Sequence, residues 1–351
     1  MKEIVAKRIK SARGLAGLSL RELSEKLDGL VSYNAISKYE KAEMMPDSKV
    51  LLQLAKVLNV KLDYFFRPFT ISIENIEFRK KSKLGVKKVN SIKEEVTDII
   101  TRYIEVEQFL NLASNFNNPI KNISIADGHA VEQAVNQLIN EWNIGINALP
   151  NVIELLEDKE IKVIEIDADE DFDGFSGWAT GNIPVIVINS KFPVERKRFT
   201  ALHELGHLLL SFDSNLVEKD IERLCHRFAG AMLMPKETFL LELGAQRNKI
   251  SLSELIAIKE TYGISIQAIM ARAKDLGIIS EERYINFRRW VNEDSNRKKE
   301  IDLGKFQGRE SSTRFKQLLY RAAAEDLVSL NKAASLANMK LADFRKEFVL
   351  L

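Results

Sequence analysis

Across residues 1–67, apolar positions recur in short helical periods separated by polar turns. Ile4, Val5, Ile9, Ala12 and Leu15 fall at helical spacing and predict a first helix. Ser19-Leu-Arg-Glu22 reads as a capping box that opens a second helix, with Leu20, Leu23 and Leu27 facing inward. A turn at Asp28-Gly29 follows, and the Ser32–Asn34 stretch caps a third helix whose inward residues are Ile36 and Tyr39. Pro46-Asp47-Ser48 stops that element and caps a fourth, which carries Val50, Leu51, Leu54, Ala55 and Leu58 on one face.

Beyond residue 67 the pattern changes several times. Thr70 to Glu74 alternates as a strand does, and Ser91 to Leu112 predicts a long amphipathic helix with Val96, Ile99, Ile100, Tyr103, Ile104 and Phe109 on its apolar side. After a polar break at Asn115–Asn122, His129 to Trp142 reads as a further helix, with His129 in a capping or surface position. Ile161–Ile166 and Pro184–Ile188 are rich in β-branched residues and predict strands, and Gly174–Gly181 supplies another between them. Helices are expected at Val194–Leu210 and Val217–Met232. Arg288 to Lys299 is charged and expected to be loosely ordered. Phe315 to Arg345 is helical and includes two short helices about a polar turn at Leu330–Phe344. That last pair suits a second DNA-contacting or dimer-forming unit, or a cap on the preceding domain.

These segments divide the chain into 1–67, a connector at 68–128, a mixed domain at 129–282 and a helical region at 283–351. The expected fold class is multidomain: an all-α domain, then an α+β domain with a small sheet, then a helical C-terminal tail. A length of 351 residues agrees, being too long for one core.

Composition narrows the setting. With 45% hydrophobic and 29% charged residues, the chain is of ordinary globular type. Its single cysteine, Cys225, can form no intramolecular disulfide and no cysteine-rich zinc site, which favours a reducing compartment. The opening MKEIVAKRIKSARG lacks a signal-type apolar run, and no apolar stretch reaches about 18 residues. A cytoplasmic protein with no membrane partner is the expectation. The net charge of +2 hides an asymmetry, because residues 1–67 hold 13 Lys/Arg against 8 Asp/Glu. That excess suits a polyanionic partner. Arg79 to Lys88 adds six basic residues in ten, suited to phosphate contact or to a solvated linker.

Two short helices joined by a tight turn within a small basic all-α unit make a helix-turn-helix, whose second helix would enter the major groove. Leu20-Arg-Glu-Leu-Ser24, Ile36-Ser-Lys-Tyr-Glu40, Leu54-Ala-Lys-Val-Leu-Asn-Val60 and Asp63-Tyr-Phe-Phe66 resemble the Cro/XRE-type DNA-binding domain over residues 5–66. The resemblance implies operator DNA as a partner. Base readout would come from Tyr33, Asn34, Ser37 and Lys38, with Asn34 able to grip adenine in bidentate fashion. Ala42 departs from the family, which usually has glycine there.

The second domain carries His203-Glu204-Leu205-Gly206-His207 on a predicted helix. Imidazoles four residues apart share one helix face and can reach one ion, while Glu204 beside them can act as general base toward water. A third protein ligand is needed, and Glu218, Asp220 and Glu222 on the next helix are all within reach by sequence.

Phe199-Thr-Ala-Leu-His-Glu-Leu-Gly-His-Leu-Leu210, followed by Ile221-Glu-Arg-Leu-Cys-His-Arg-Phe-Ala-Gly-Ala-Met-Leu-Met-Pro235, resembles the ImmA/IrrE metallopeptidase family over residues 130–280. The resemblance implies a zincin-like fold, a Zn2+ cofactor on His203, His207 and Glu222, and catalysis by Glu204; Mn2+ also fits two histidines and one carboxylate. Cys225 stands where the family usually has alanine and reads as a small core residue. His226, where asparagine is usual, suits either a group supporting the metal site or a buried side chain bonded to the backbone. The function implied is a DNA-binding transcriptional regulator whose zinc endopeptidase cleaves a partner, a repressor or antitoxin-like protein. Its alternative is a non-proteolytic transcription factor or antitoxin whose second domain senses a ligand or holds a toxin. A homodimer is a further expectation for such a regulator.

Overall fold

Side-chain caps set the starts of the N-terminal helices. Helix α1 covers Lys2–Leu15. Ser19 accepts from the Glu22 amide while the Glu22 side chain takes the Ser19 amide, and this capping box opens α2, Leu20–Lys26. Ser32 caps α3, Tyr33–Glu40, and Asp47 caps α4, Ser48–Val57. Ile9, Leu23, Ile36, Leu54 and Phe65 are fully buried at the centre of the bundle. Helix α3 ends in a Schellman turn, in which the Glu43 amide bonds to Lys38 and the Ala42 amide to Tyr39. Ala42 occupies the left-handed position of that turn at φ 56°.

The structure, a computed structural model, describes residues 1–67, 73–74, 85–112, 115–180 and 182–349. Of the strand expected at 70–74, Ile73–Glu74 (β1) is extended, and the rest lies outside the described residues. Most of the basic run, residues 79–84, also lies outside them. The long helix forms as α5, Val86–Phe109.

The chain packs as two compact units. One gathers Met1–Ala113 with Thr313–Leu351 and the short Ala179–Gly181 segment. Within it α5 is buried on several sides, with Val96, Ile100 and Val106 fully enclosed. Arg8 on α1 lies 3.5 Å from Asp98 on α5. Tyr103 and Val106 on α5 join a core with Leu319, Ala322, Leu336 and Phe344 of the C-terminal helices.

The other unit comprises Ser114–Trp178 and Asn182–Ser312. Strand β2 is Ser124–Ile125. Helix α6 is Gly128–Trp142, capped by Asp127, and His129 is exposed in its first turn. Helix α7 is Val152–Asp158. Strands β3 (Lys162–Ile166), β4 (Gly174–Ala179) and β5 (Ile183–Asn189) follow. Strand β5 lies between β4 and β3 and pairs in parallel with β3, Ile164 opposite Val187. All seven of its residues are buried, which accounts for its unbroken apolar sequence. Asn189, at its end, donates to the carbonyls of Ala168, Asp169 and Phe172, pinning the loop that leads into β4.

Helix α8 is Val194–Leu209. Strand β6, Ser211–Phe212, pairs in parallel with β2. Helix α9 is Glu218–Leu233, α10 Lys236–Leu243, α11 Leu252–Tyr262 and α12 Ile266–Asp275. Residues 288–299 differ from expectation: all but the capping Glu293, Asp294 and Lys299 belong to α13, Glu281–Asn292, and α14, Ser295–Lys298. Phe287 and Val291, one helical turn apart, are buried and hold α13 in place.

The last helices are α15 (Arg314–Ala324), α16 (Leu330–Leu336) and α17 (Leu341–Glu347). They pack in the first unit against α5. Lys61 donates to the Ala334 carbonyl at 3.0 Å and Arg102 to the Leu336 carbonyl at 2.7 Å, fastening α16 from two sides.

A left-handed alanine costs about 1–2 kcal/mol against a residue without Cβ, less the greater freedom of glycine in the unfolded chain. Ala42→Gly is therefore expected to stabilise the first unit by about 0.5–1 kcal/mol. Denaturant titration checks this, and a variant no more stable than the parent would contradict it.

Candidate metal centre

Helix α8 enters the core of its unit through Ala201, Leu202, Leu205 and Leu209, each at or near zero exposure. A buried ion pair fixes its first half. Arg198 meets Glu310, and it also donates to the carbonyls of Leu149 at 2.7 Å and Tyr262 at 3.2 Å. Glu310 accepts from the Val152 and Ile153 amides at the start of α7 as well. A pair this well furnished with hydrogen bonds tolerates burial.

One turn apart on the same helix, His203 and His207 bring their Nε2 atoms to 3.1 Å. Helix α9 lies close against this turn because residue 206 is glycine. A Cβ there would stand 3.2 Å from the Phe228 ring and 3.4 Å from Cys225 Sγ. The close approach puts Glu222 Oε2 3.5 Å from His203 Nε2, and Oε1 3.7 Å from His207 Nε2.

These spacings can be compared with the needs of zinc. Bonds of about 2.0–2.1 Å in a tetrahedron separate ligand atoms by about 3.4 Å. The observed 3.1, 3.5 and 3.7 Å bracket that value. Two imidazole nitrogens and one carboxylate also form a suitable donor set for a site that keeps one position open. Among the described residues, no other group of three or more His, Cys, Asp or Glu side chains converges in this way. Of the three acidic candidates on α9, only Glu222 joins the histidines; Asp220 instead lies 3.2 Å from Arg223, and Glu218 is exposed.

Glu204 is buried beside the triad, and Ser176 on β4 donates to its Oε2 at 2.9 Å. That contact depends on Gly174, where a Cβ would come within 2.6 Å of the Val187 carbonyl oxygen and 3.0 Å of Thr200. Glycine lets β4 press against both β5 and α8. Sequence reasoning did not single out Ser176; the signal was Gly174, whose lack of a side chain marks a close approach.

Two residues on α9 complete the surroundings. Cys225 is fully buried, but its Sγ lies 2.9 Å from His207 Nδ1, so it supports the histidine in addition to filling the core. His226 donates from Nδ1 to the Glu222 carbonyl at 2.6 Å, which is the backbone bond foreseen for it. The residue is exposed, however, and its ring sits 4.3 Å from that of His203 and 5.9 Å from that of Phe199. On α3, Tyr33, Asn34 and Lys38 are exposed and Ser37 half-buried, while Ile36 and Tyr39 hold the helix to the bundle. Arg21 lies 5.6 Å from the Tyr33 ring centre.

Residues 156–274 match the family described as the IrrE N-terminal-like domain, and residues 9–65 match the helix-turn-helix family. The chain thus joins a helix-turn-helix domain to an ImmA/IrrE-type metallopeptidase domain. Three relatives carry the likeness. The radiation response metalloprotease IrrE of Deinococcus radiodurans is 40% identical over 76 residues, 17% of this chain and 23% of that protein. IrrE of Deinococcus deserti is 43% identical over 65 residues, 15% of this chain and 23% of its own length. The HTH-type transcriptional regulator ImmR of Bacillus subtilis is 37% identical over 71 residues, 20% of this chain and 54% of its own. The chain therefore spans about a quarter of each IrrE and about half of ImmR. No helix among the described residues is long and apolar enough to cross a membrane.

A hydrogen-bond partner on the distal nitrogen orients a ligating imidazole, and its loss typically costs about 10–100-fold in metal affinity. A thiol is a weak partner, so Cys225→Ala is expected to weaken metal binding by about tenfold, the low end of that range, with Cys225→Ser close to the parent. Competition against a fluorescent zinc chelator measures both. Equal affinity for Cys225→Ala and the parent would show that the contact only packs.

Proposed function

We propose that this chain is a DNA-binding transcriptional regulator whose zinc-dependent endopeptidase domain cleaves a partner regulatory protein, a repressor or antitoxin-like factor. Residues 1–67 serve as the DNA-binding domain and 129–282 as the peptidase domain, in a cytoplasmic protein. The observation that carries the reading is the convergence of His203, His207 and Glu222 beside the buried carboxylate of Glu204. Zinc held by these three side chains, with Mn2+ the other candidate, supplies Lewis acidity toward a scissile carbonyl and toward water.

Glu204 takes the proton from the attacking water and passes it to the leaving amine. Ser176, donating to Oε2 at 2.9 Å, fixes the rotation of that carboxylate. His226 steadies the turn that carries Glu222 through its bond to the Glu222 carbonyl. At the other end of the chain, Tyr33, Asn34, Ser37 and Lys38 contact the operator from the start of α3, the end of a recognition helix that meets base edges.

Glu204→Gln in the full chain is expected to keep its zinc, measured by elemental analysis, and to abolish cleavage. Cells expressing either form can be compared for new protein N-termini. An identical set from both would reject the peptidase reading and favour the non-proteolytic regulator or antitoxin. Glu222→Ala is expected to lose the metal.

For the DNA side, Asn34→Ala combined with Lys38→Ala is expected to weaken operator binding by roughly tenfold or more. Operators selected from genomic fragments supply the probe. Unchanged affinity with no dependence on salt would count against DNA recognition by α3.

A further inference from the structure

A groove of about 640 Å3 leads away from the metal centre between α9, α12 and α13. Glu222, Phe199 and His226 line it, together with Tyr284 and Arg288. Of the residues used in the proposed chemistry, only Glu222 and His226 touch this groove, and its charge is uneven. Six cationic side chains line it, against the carboxylates of Asp220, Asp275 and Glu222, and the last belongs to the triad.

The positive charge is built into the wall. Arg272, only 3% exposed, grips both oxygens of Glu132 at 3.0 and 3.1 Å and donates to the Met234 carbonyl at 2.7 Å. Arg227 donates to the same carboxylate at 3.0 Å. Two guanidinium groups on one carboxylate leave a charge uncompensated. Burial raises the Glu132 carboxyl, but the hydrogen bonds and charges of Arg272 and Arg227 outweigh it and hold the group below the usual carboxylate range.

On the rim, Lys219 and Arg288 are exposed and have no ion pair among the described residues. Arg223 lies 3.2 Å from Asp220 and Lys274 3.1 Å from Asp275. Such surface pairs are worth about 0–1 kcal/mol and yield readily to a better partner. Phe199 and Tyr284 in its lining offer apolar contact, which an extended peptide can use and a bare inorganic anion cannot.

We infer that this groove binds an acidic stretch of the polypeptide substrate, so that cleavage selects bonds with Asp or Glu a few residues to one side. The inference rests on the peptidase reading, because Glu222 of the triad lines the groove.

The test uses the full chain and fluorescein-labelled decaglutamate, with decalysine as the opposite charge. Decaglutamate is expected to bind the parent and to lose roughly tenfold in affinity in Arg223→Glu/Arg288→Glu. The variant Lys236→Glu/Arg289→Glu makes the same change in net charge away from the groove and is expected to bind as the parent does. Equal losses in both variants, or no binding of decaglutamate, would overturn the inference. So would displacement by ATP as effective as by unlabelled peptide, since that marks a small-anion site. A second arm digests a proteome-derived peptide library with parent and Glu204→Gln protein. Acidic residues enriched at a fixed side of the cut bond, with the preference lost in Arg223→Glu/Arg288→Glu, support the inference; cleavage without that enrichment overturns it. No cleavage by the parent, alongside charge-dependent decaglutamate binding, would reject the peptidase reading while leaving the acidic-peptide groove standing.

Discussion

The close approach of α8 and α9 at Gly206 is the constraint on which the candidate metal centre depends. His203 and His207 need only a helix to be neighbours, but Glu222 belongs to another helix, and a carboxylate side chain is short. With the Phe228 ring and the sulfur of Cys225 already 3.2 and 3.4 Å from where a Cβ would stand, there is little room for one at position 206. The same closeness brings Cys225 to His207, so one missing side chain accounts both for Glu222 meeting the histidines and for the contact that supports His207. Gly174 does similar work on the opposite side of α8, admitting β4 and with it the Ser176 hydroxyl that holds Glu204.

Buried ions recur around this centre, and each is tied to the packing of helices. Glu310 pairs with Arg198 while accepting the first amides of α7. Glu300 pairs with Lys259 at 2.9 Å and accepts the Ile266 and Gln267 amides that open α12. A carboxylate at a helix N-terminus satisfies amides that have no partner within the helix and sits favourably in the helix dipole. Adding a cation on its other side offsets part of the remaining cost of desolvation. These acids come from segments distant in sequence, so they lock loops to helices that local propensity alone could not place.

How much of this was legible in the sequence follows from the range of the interactions. Ser19, Ser32 and Asp47 cap helices within three residues of themselves, and all three were readable. So was the pair His203 and His207, whose spacing is one helical turn. Glu222 could not be separated from Glu218 and Asp220 by spacing; the family resemblance pointed to it, and the helix contact at Gly206 shows why it alone reaches. Ser176 and the role of Cys225 depend on contacts across 28 and 18 residues, which no local pattern reports. Residues 288–299 misled because their charges are on the surface of helices held by only a few apolar side chains, Phe287 and Val291 among them. The last three helices read correctly as helices, but their partner, α5, lies more than two hundred residues earlier in the chain.

That last pairing bears on how the protein is made. The core shared by α5 with α15, α16 and α17 closes only between residues more than two hundred positions apart. Domains tend to fold in order as they leave the ribosome, and apolar surface left waiting is exposed to aggregation. Here the mixed unit, all of it before residue 313, can be synthesised and folded while α5 still lacks its C-terminal partners. The helix-turn-helix bundle has its own centre and need not wait, but the enclosed face of α5 cannot close until α15, α16 and α17 have been made.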